Sequence, residues 1–177
     1  MKRQNISRKA KADKVPDRTL YLIDIENMAC SCDLTVSRVA QICARIRAAI
    51  EPVPGDHTVI AASHYNASAA FFGWKGGVQR LARSGKDGAD AALLEVVEDT
   101  AWTAARYARV VIASGDHAFA YAVAGLKVAG CEVIVIPPDT GFSPQMRLVA
   151  GPGLVRLGPA MPDNVISLFR RNDKDAV

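Results

Sequence analysis

No stretch of this chain approaches the ~20 consecutive apolar residues that a membrane-spanning helix needs, so no span is expected. Its N-terminal residues lack the apolar core of a secretory signal. The four cysteines, Cys30, Cys32, Cys43 and Cys131, show neither zinc-ligand spacing nor a disulfide framework. Cys30-Ser31-Cys32 is a close pair, but no second pair accompanies it. Reduced thiols in a cytoplasmic protein are therefore expected. No Gly-x-Gly-x-x-Gly follows the first apolar strand, which argues against a dinucleotide site. Internal repeats are also missing.

What remains is 177 residues, enough for one domain that buries most of its apolar surface. Half the residues are hydrophobic and 23% charged, a globular composition. The net charge of +4 is unevenly spread. Residues 1–18 carry Lys2, Arg3, Arg8, Lys9, Lys11, Lys14 and Arg18 against Asp13 and Asp17, leaving the rest of the chain near neutral. This tail has almost no apolar content and is expected to be disordered alone. It could contact the phosphates of a polyanion such as RNA, or serve only as a solubilising extension. A single domain is expected over residues 19–158, followed by a peripheral tail, 159–177, with one packed helical turn at Val165–Phe169.

The chain is organised around Leu20–Asn27, LYLIDIEN. Leu20–Ile23 is a continuous apolar run, short enough for a strand buried on both faces at the centre of a parallel sheet. Ligands of open α/β sheets bind outside the carboxyl ends of the strands. Asp24 stands at that place, although capping the next turn would also explain it. Glu26 is expected to point away from Asp24 if the strand continues.

Met28–Leu34 reads as a loop. Thr35 or Ser37 can cap a helix running to about Ile50, and Pro52-Val53-Pro54-Gly55 stops it. His57–His64 is a second strand, Tyr65–Trp74 a short helix from Asn66 or Ser68, and Val78–Ala82 a short third strand. Phe71, Phe72 and Trp74 near Lys75 could stack bases, or simply pack the core. A polar turn, Ser84–Asp90, leads into one helix, Ala91–Arg106. There Leu93, Leu94, Val97 and Ala101 share a face while Glu95, Glu98 and Asp99 lie off it. Asp90 falls on the sheet-facing side at the start of this helix. Arg109–Ala113 is a fourth strand that again runs straight into an aspartate, Asp116. A helix to about Ala129, a strand Cys131–Ile136, a helix Pro144–Ala150 capped by Ser143, and an extended Leu154–Leu157 complete the chain.

Alternating strands and helices imply a parallel sheet covered on both faces. A five-stranded sheet of order 3-2-1-4-5 sets the first and fourth strands side by side. Asp24 and Asp116 then become neighbours, and Asp90 can converge on them. Three such carboxylates either raise one another's pKa or recruit a cation, and hard oxygen donors select Mg²⁺ or Mn²⁺. A cation held this way suits phosphodiester hydrolysis.

LIDIEN, then GKDGAD opening a helix, then VIASGDHAF, stand in the order and spacing of the NYN domain family, and the chain resembles that family from roughly Leu20 to Leu157. SPQMRLVAGPGLVRL resembles its closing Ser-x-x-Leu-Arg segment. NYN domains are PIN-like metal-dependent ribonucleases, related in fold to PIN toxins and flap-type nucleases. The resemblance implies a PIN-like, flavodoxin-like α/β fold, RNA as substrate, Mg²⁺ or Mn²⁺ as cofactor, and pairing into a homodimer as PIN-like folds often do. By position, Asp24, Asp90 and Asp116 match the family's metal-binding acids, and Asn27 its Asp-x-x-Asn element. Ser114 matches the small polar residue before the last aspartate. Lys86 could contact phosphate, and Asp87 could ligate or only cap. His117 could shuttle a proton or bind phosphate, or be an exposed loop histidine. One departure stands out: Ala118 occupies a position where many relatives carry a second acid. That leaves room for a non-catalytic RNA-binding module. A metal-dependent phosphatase is the other alternative, although Asp24-Ile25-Glu26 lacks the usual Asp-x-Asp.

Overall fold

Leu20–Ile23, Val110–Ile112 and Val133–Ile136 are apolar at successive positions, so neither face of these strands can meet water without cost. In the computed structural model, which describes residues 17–159, helices cover both faces. Strands β1 (Thr19–Asp24), β2 (His57–Ala62), β3 (Gln79–Ala82), β4 (Arg109–Ala113) and β5 (Glu132–Ile136) form one all-parallel sheet of order β3-β2-β1-β4-β5. The expected strand order and the three-layer α/β architecture are those observed. The basic tail, but for its last two residues, and the turn expected at Val165–Phe169 lie outside the described residues.

Alternate residues of each strand feed two separate cores. Leu20, Leu22, Val110 and Ile112 pack with Leu93 of α4 (Gly88–Val96), Val123 and Leu126 of α6 (Ala120–Val128), and Met146 of α7 (Pro144–Ala150). Tyr21, Ile23 and Val111 pack instead with α1 (Ile25–Ala29), α2 (Val36–Ala49) and α3 (Ala67–Gly73), chiefly through Ile25, Val39, Ile42, Ile46 and Ala70. Val97, at the end of α4, and Phe119, before α6, complete the first core. Among the described residues no helix is long and apolar enough to cross a membrane.

Local signals set several boundaries. Thr35 caps α2 by accepting from the Arg38 N–H at 3.1 Å, and Ser143 caps α7 by accepting from the Met146 N–H at 3.1 Å. Three expectations need correction. The segment after β1 is no simple loop, because Asp24 caps a short helix, α1, that begins at once. Nor is Ala91–Arg106 one helix. It divides into α4 and α5 (Thr100–Ala104), since Asp99 accepts from the Trp102 N–H at 2.8 Å and starts a new helix instead of continuing the old one. β2 also stops at Ala62 rather than His64, because side chains take the next two N–H groups. Glu26 accepts from the Ser63 N–H, and Ser84 from the His64 N–H.

Candidate functional site

The carboxyl end of β1 is also the start of α1, and this double duty shapes the site. Asp24 is 3% exposed, and its Oδ1 accepts from the Asn27 N–H at 3.2 Å. Its Oδ2 accepts from the Ser114 hydroxyl at 3.0 Å. Ser114 follows β4 and is fully buried; its hydroxyl also accepts from the Asp116 N–H at 3.2 Å. The Asn27 side chain accepts from the Gly115 N–H at 2.8 Å, tying α1 to the β4 turn. Asp116 begins a 3₁₀ turn, His117–Phe119, by accepting from the Ala118 N–H at 2.8 Å. β1 and β4 thus present their aspartates side by side through one serine and one asparagine.

Asp90 comes from α4. Gly88, at the start of this helix, presses so close to the strand end that an added Cβ would lie 2.7 Å from the Arg83 carbonyl oxygen. Such an approach brings the first turn, and Asp90 with it, over the end of the sheet. The Asp24 and Asp90 carboxyls lie close enough to act directly on one another. Burial, followed by the negative charge of Asp90, raises the Asp24 carboxyl well above the usual range. Burial raises Asp90 as well; the charges of Asp116, Asp87 and Glu26 add to this, while its interaction with Asp24 opposes it.

These groups line a cleft of about 230 Å³ with Glu26, Asn27, Ser63, Arg83 and Asp87. Asp87 sits at its rim with φ at +56°, the left-handed conformation that Asp tolerates better than most residues. Arg83 is the sole basic side chain among the lining residues, and a bidentate pair with Glu95, 2.7 Å for each bond, engages it. Lys86 is exposed on the adjoining turn and does not line the cleft. His117 is also outside it, its ring Nδ1 3.0 Å from Asp116 Oδ1. The Ser114 hydroxyl lies beneath the cleft, occupied by the two aspartates.

Glu26 is the residue whose place the sequence reading missed. A strand alternates its side chains, so even a continued strand would have set Glu26 on the face of Asp24. The strand in fact ends at Asp24, and Glu26 reaches the cleft from the first turn of α1. Its carboxylate accepts from the Ser63 hydroxyl at 2.6 Å, the Ser63 N–H at 3.2 Å, and the Asn66 side-chain amide. Asp24 and Asn27, spaced as an N-cap and the residue whose N–H it binds, were the available signal for a helix here.

Asp24, Asp90, Asp116, Asp87 and Glu26 are the residues that could hold a hard cation, as all their donors are carboxylate oxygens. Among the described residues, no three His, Cys, Asp or Glu side chains stand grouped as an ion's ligands would be. A separate, more apolar depression of about 360 Å³ lies between α2 and residues 155–159, away from these acids. No protein-family model matches the chain, and no curated protein shows significant sequence similarity to it.

Proposed function

We propose that the chain is a divalent-metal-dependent RNA endonuclease of the PIN-like type, as its resemblance to NYN domains suggests, hydrolysing phosphodiester bonds at the acidic cleft. One observation carries this reading: Asp24, Asp90 and Asp116 meet at the end of the sheet, and the cleft's single basic side chain is engaged elsewhere. The donor set fits Mg²⁺ or Mn²⁺. Every donor is a hard oxygen, and burial together with the neighbouring acids raises the carboxyls of Asp24 and Asp90, which a bound cation would offset.

Asp24, Asp90 and Asp116, with Asp87 at the rim, would hold the cation, drawing their side chains together around it. When bound, it supplies Lewis acidity toward water and toward the phosphodiester oxygens. The chain's own groups orient the site. Ser114 fixes one Asp24 oxygen and the Asp116 backbone, and Asn27 fixes the turn between β4 and Asp116. Lys86, on the exposed turn before α4, and the basic N-terminal tail would contact the substrate's phosphates. A cytoplasmic setting suits the exposed free thiols of Cys30 and Cys32.

A non-catalytic RNA-binding module is the second reading, favoured by Ala118, whose methyl stands where a further acid would complete the set. Cleavage of end-labelled RNA and single-stranded DNA in Mn²⁺, Mg²⁺ or EDTA, beside an Asp24→Asn/Asp116→Asn double variant, separates the two. Metal-dependent RNA cleavage that the folded double variant lacks supports the nuclease. RNA bound but never cut supports the module.

A further inference from the structure

Beside the acidic cleft, the turn after β2 exposes an aromatic ring on backbone that is tied down at nearly every position. Ser63 is bonded twice to Glu26, and His64 is bonded to Ser84 through both its N–H and its ring Nδ1. Asn66 is buried, bonding Glu26 and the Cys32 carbonyl through its amide and accepting from the Leu34 N–H. Between them, Tyr65 is 78% exposed, with the Asp33 carboxylate nearby. Its ring stands in water on a frame that cannot easily fold it away.

Tyr65 borders a depression of about 540 Å³ floored by the small residues Ser68 and Ala69, with half-exposed Val36 opposite. Near the end of α3, the helix that follows this turn, Phe72 is 71% exposed. The Lys75 ammonium is close by, donating to the Phe72 carbonyl at 3.0 Å. Ser63 lines the acidic cleft, and Tyr65 is two residues, at most about 7 Å of chain, beyond it. A backbone phosphate in the cleft would therefore leave a neighbouring base within reach of the Tyr65 ring.

We infer that Tyr65 is a stacking site for an unpaired base of the RNA whose backbone crosses the acidic cleft. This rests on the nuclease reading and adds to it a subsite for one base beside the cleft. A base held in a duplex cannot lay its face on an aromatic ring, whereas a splayed base can. Tyrosine suits the task because it offers a broad rigid face with few rotatable bonds.

The test uses the full chain and single-stranded RNA oligomers, intact or carrying one abasic site scanned across the sequence. Base stacking is expected to be worth roughly 5- to 150-fold in affinity. Tyr65→Ala should raise KM by that factor with a smaller change in kcat, while Tyr65→Phe stays within about twofold of the parent. One abasic position should impose the same penalty on the parent and none on Tyr65→Ala. A 2-aminopurine at that position should be quenched by the parent and not by the variant. Equal KM for parent and Tyr65→Ala, or an abasic penalty that is the same in both, overturns the stacking site and leaves the nuclease reading standing. A parent that neither binds nor cleaves any RNA overturns both.

Discussion

Replacing Asp24 by Asn should stabilise the protein at neutral pH, an unusual outcome for a buried residue with three side-chain and backbone partners. Burial and the nearby charge of Asp90 raise the Asp24 carboxyl in the folded state. Unfolded, it titrates in the ordinary carboxylate range. Between the two pKa values the folded protein carries a proton that the unfolded chain has lost, so stability falls as pH rises through this window and then levels off. The slope is about 1.4 kcal/mol per pH unit for one such group, or about 3–6 °C in Tm for a domain of this size. Asn carries no charge to repel Asp90. Its oxygen can still accept from the Asn27 N–H, and its amide, in place of the second carboxyl oxygen, can donate to Ser114 Oγ. Thermal melts in EDTA from pH 4 to pH 8 should show parent and variant converging at the acid end and separating above it, the variant higher. Millimolar Mn²⁺ should then raise the Tm of the parent and not that of the variant, as expected for a ligand that binds only the intact folded site. A variant less stable than the parent at pH 7.5 in EDTA, or a difference independent of pH, would refute the argument.

Three further outcomes follow from the contacts. Glu26→Ala strands the Ser63 hydroxyl and the Asn66 amide and should cost about 1–3 kcal/mol in urea unfolding; Glu26→Gln, which keeps one acceptor, should cost less. Gly73→Ala would set a methyl 2.5 Å from Val39 Cβ and 2.8 Å from the Val36 carbonyl oxygen, so α3 must move off α2 at about 1–3 kcal/mol, seen as a lower denaturation midpoint with unchanged m. The Arg45 side chain is 7% exposed, forks onto Asp139 at 2.7 and 2.9 Å, and also donates to the Gly158 carbonyl at 2.8 Å. Arg45→Met should destabilise the protein by about 1–3 kcal/mol at pH 7. Because the Arg45 bonds hold Asp139 below the usual carboxylate range, this loss should shrink as pH falls through that range, which paired melts at pH 7 and pH 3 would detect.

The sequence by itself determined the elements whose causes are local. Val110–Ile112 is an unbroken β-branched run, Pro144 and Ser143 announce α7, and Thr35 announces α2; each needs only its immediate neighbours to fold as it does. Alternation of strand and helix then restricted the sheet to few topologies, and the observed strand order sets Asp24 beside Ser114 and Asp116. Tertiary structure decided whatever depends on a distant partner. Glu26 enters the cleft because Ser63 and Asn66, nearly forty residues away, supply its hydrogen bonds. Ser114 lies below the site because Asp24 and the Asp116 backbone occupy its hydroxyl. The break before α5 depends on whether Asp99 satisfies a new helix start better than the old helix continues. Trp74 is buried while Tyr65 and Phe72 are exposed, although all three share one short aromatic stretch. Residue type gives each side chain its chemistry, whereas burial and reach are fixed by groups that only folding brings near.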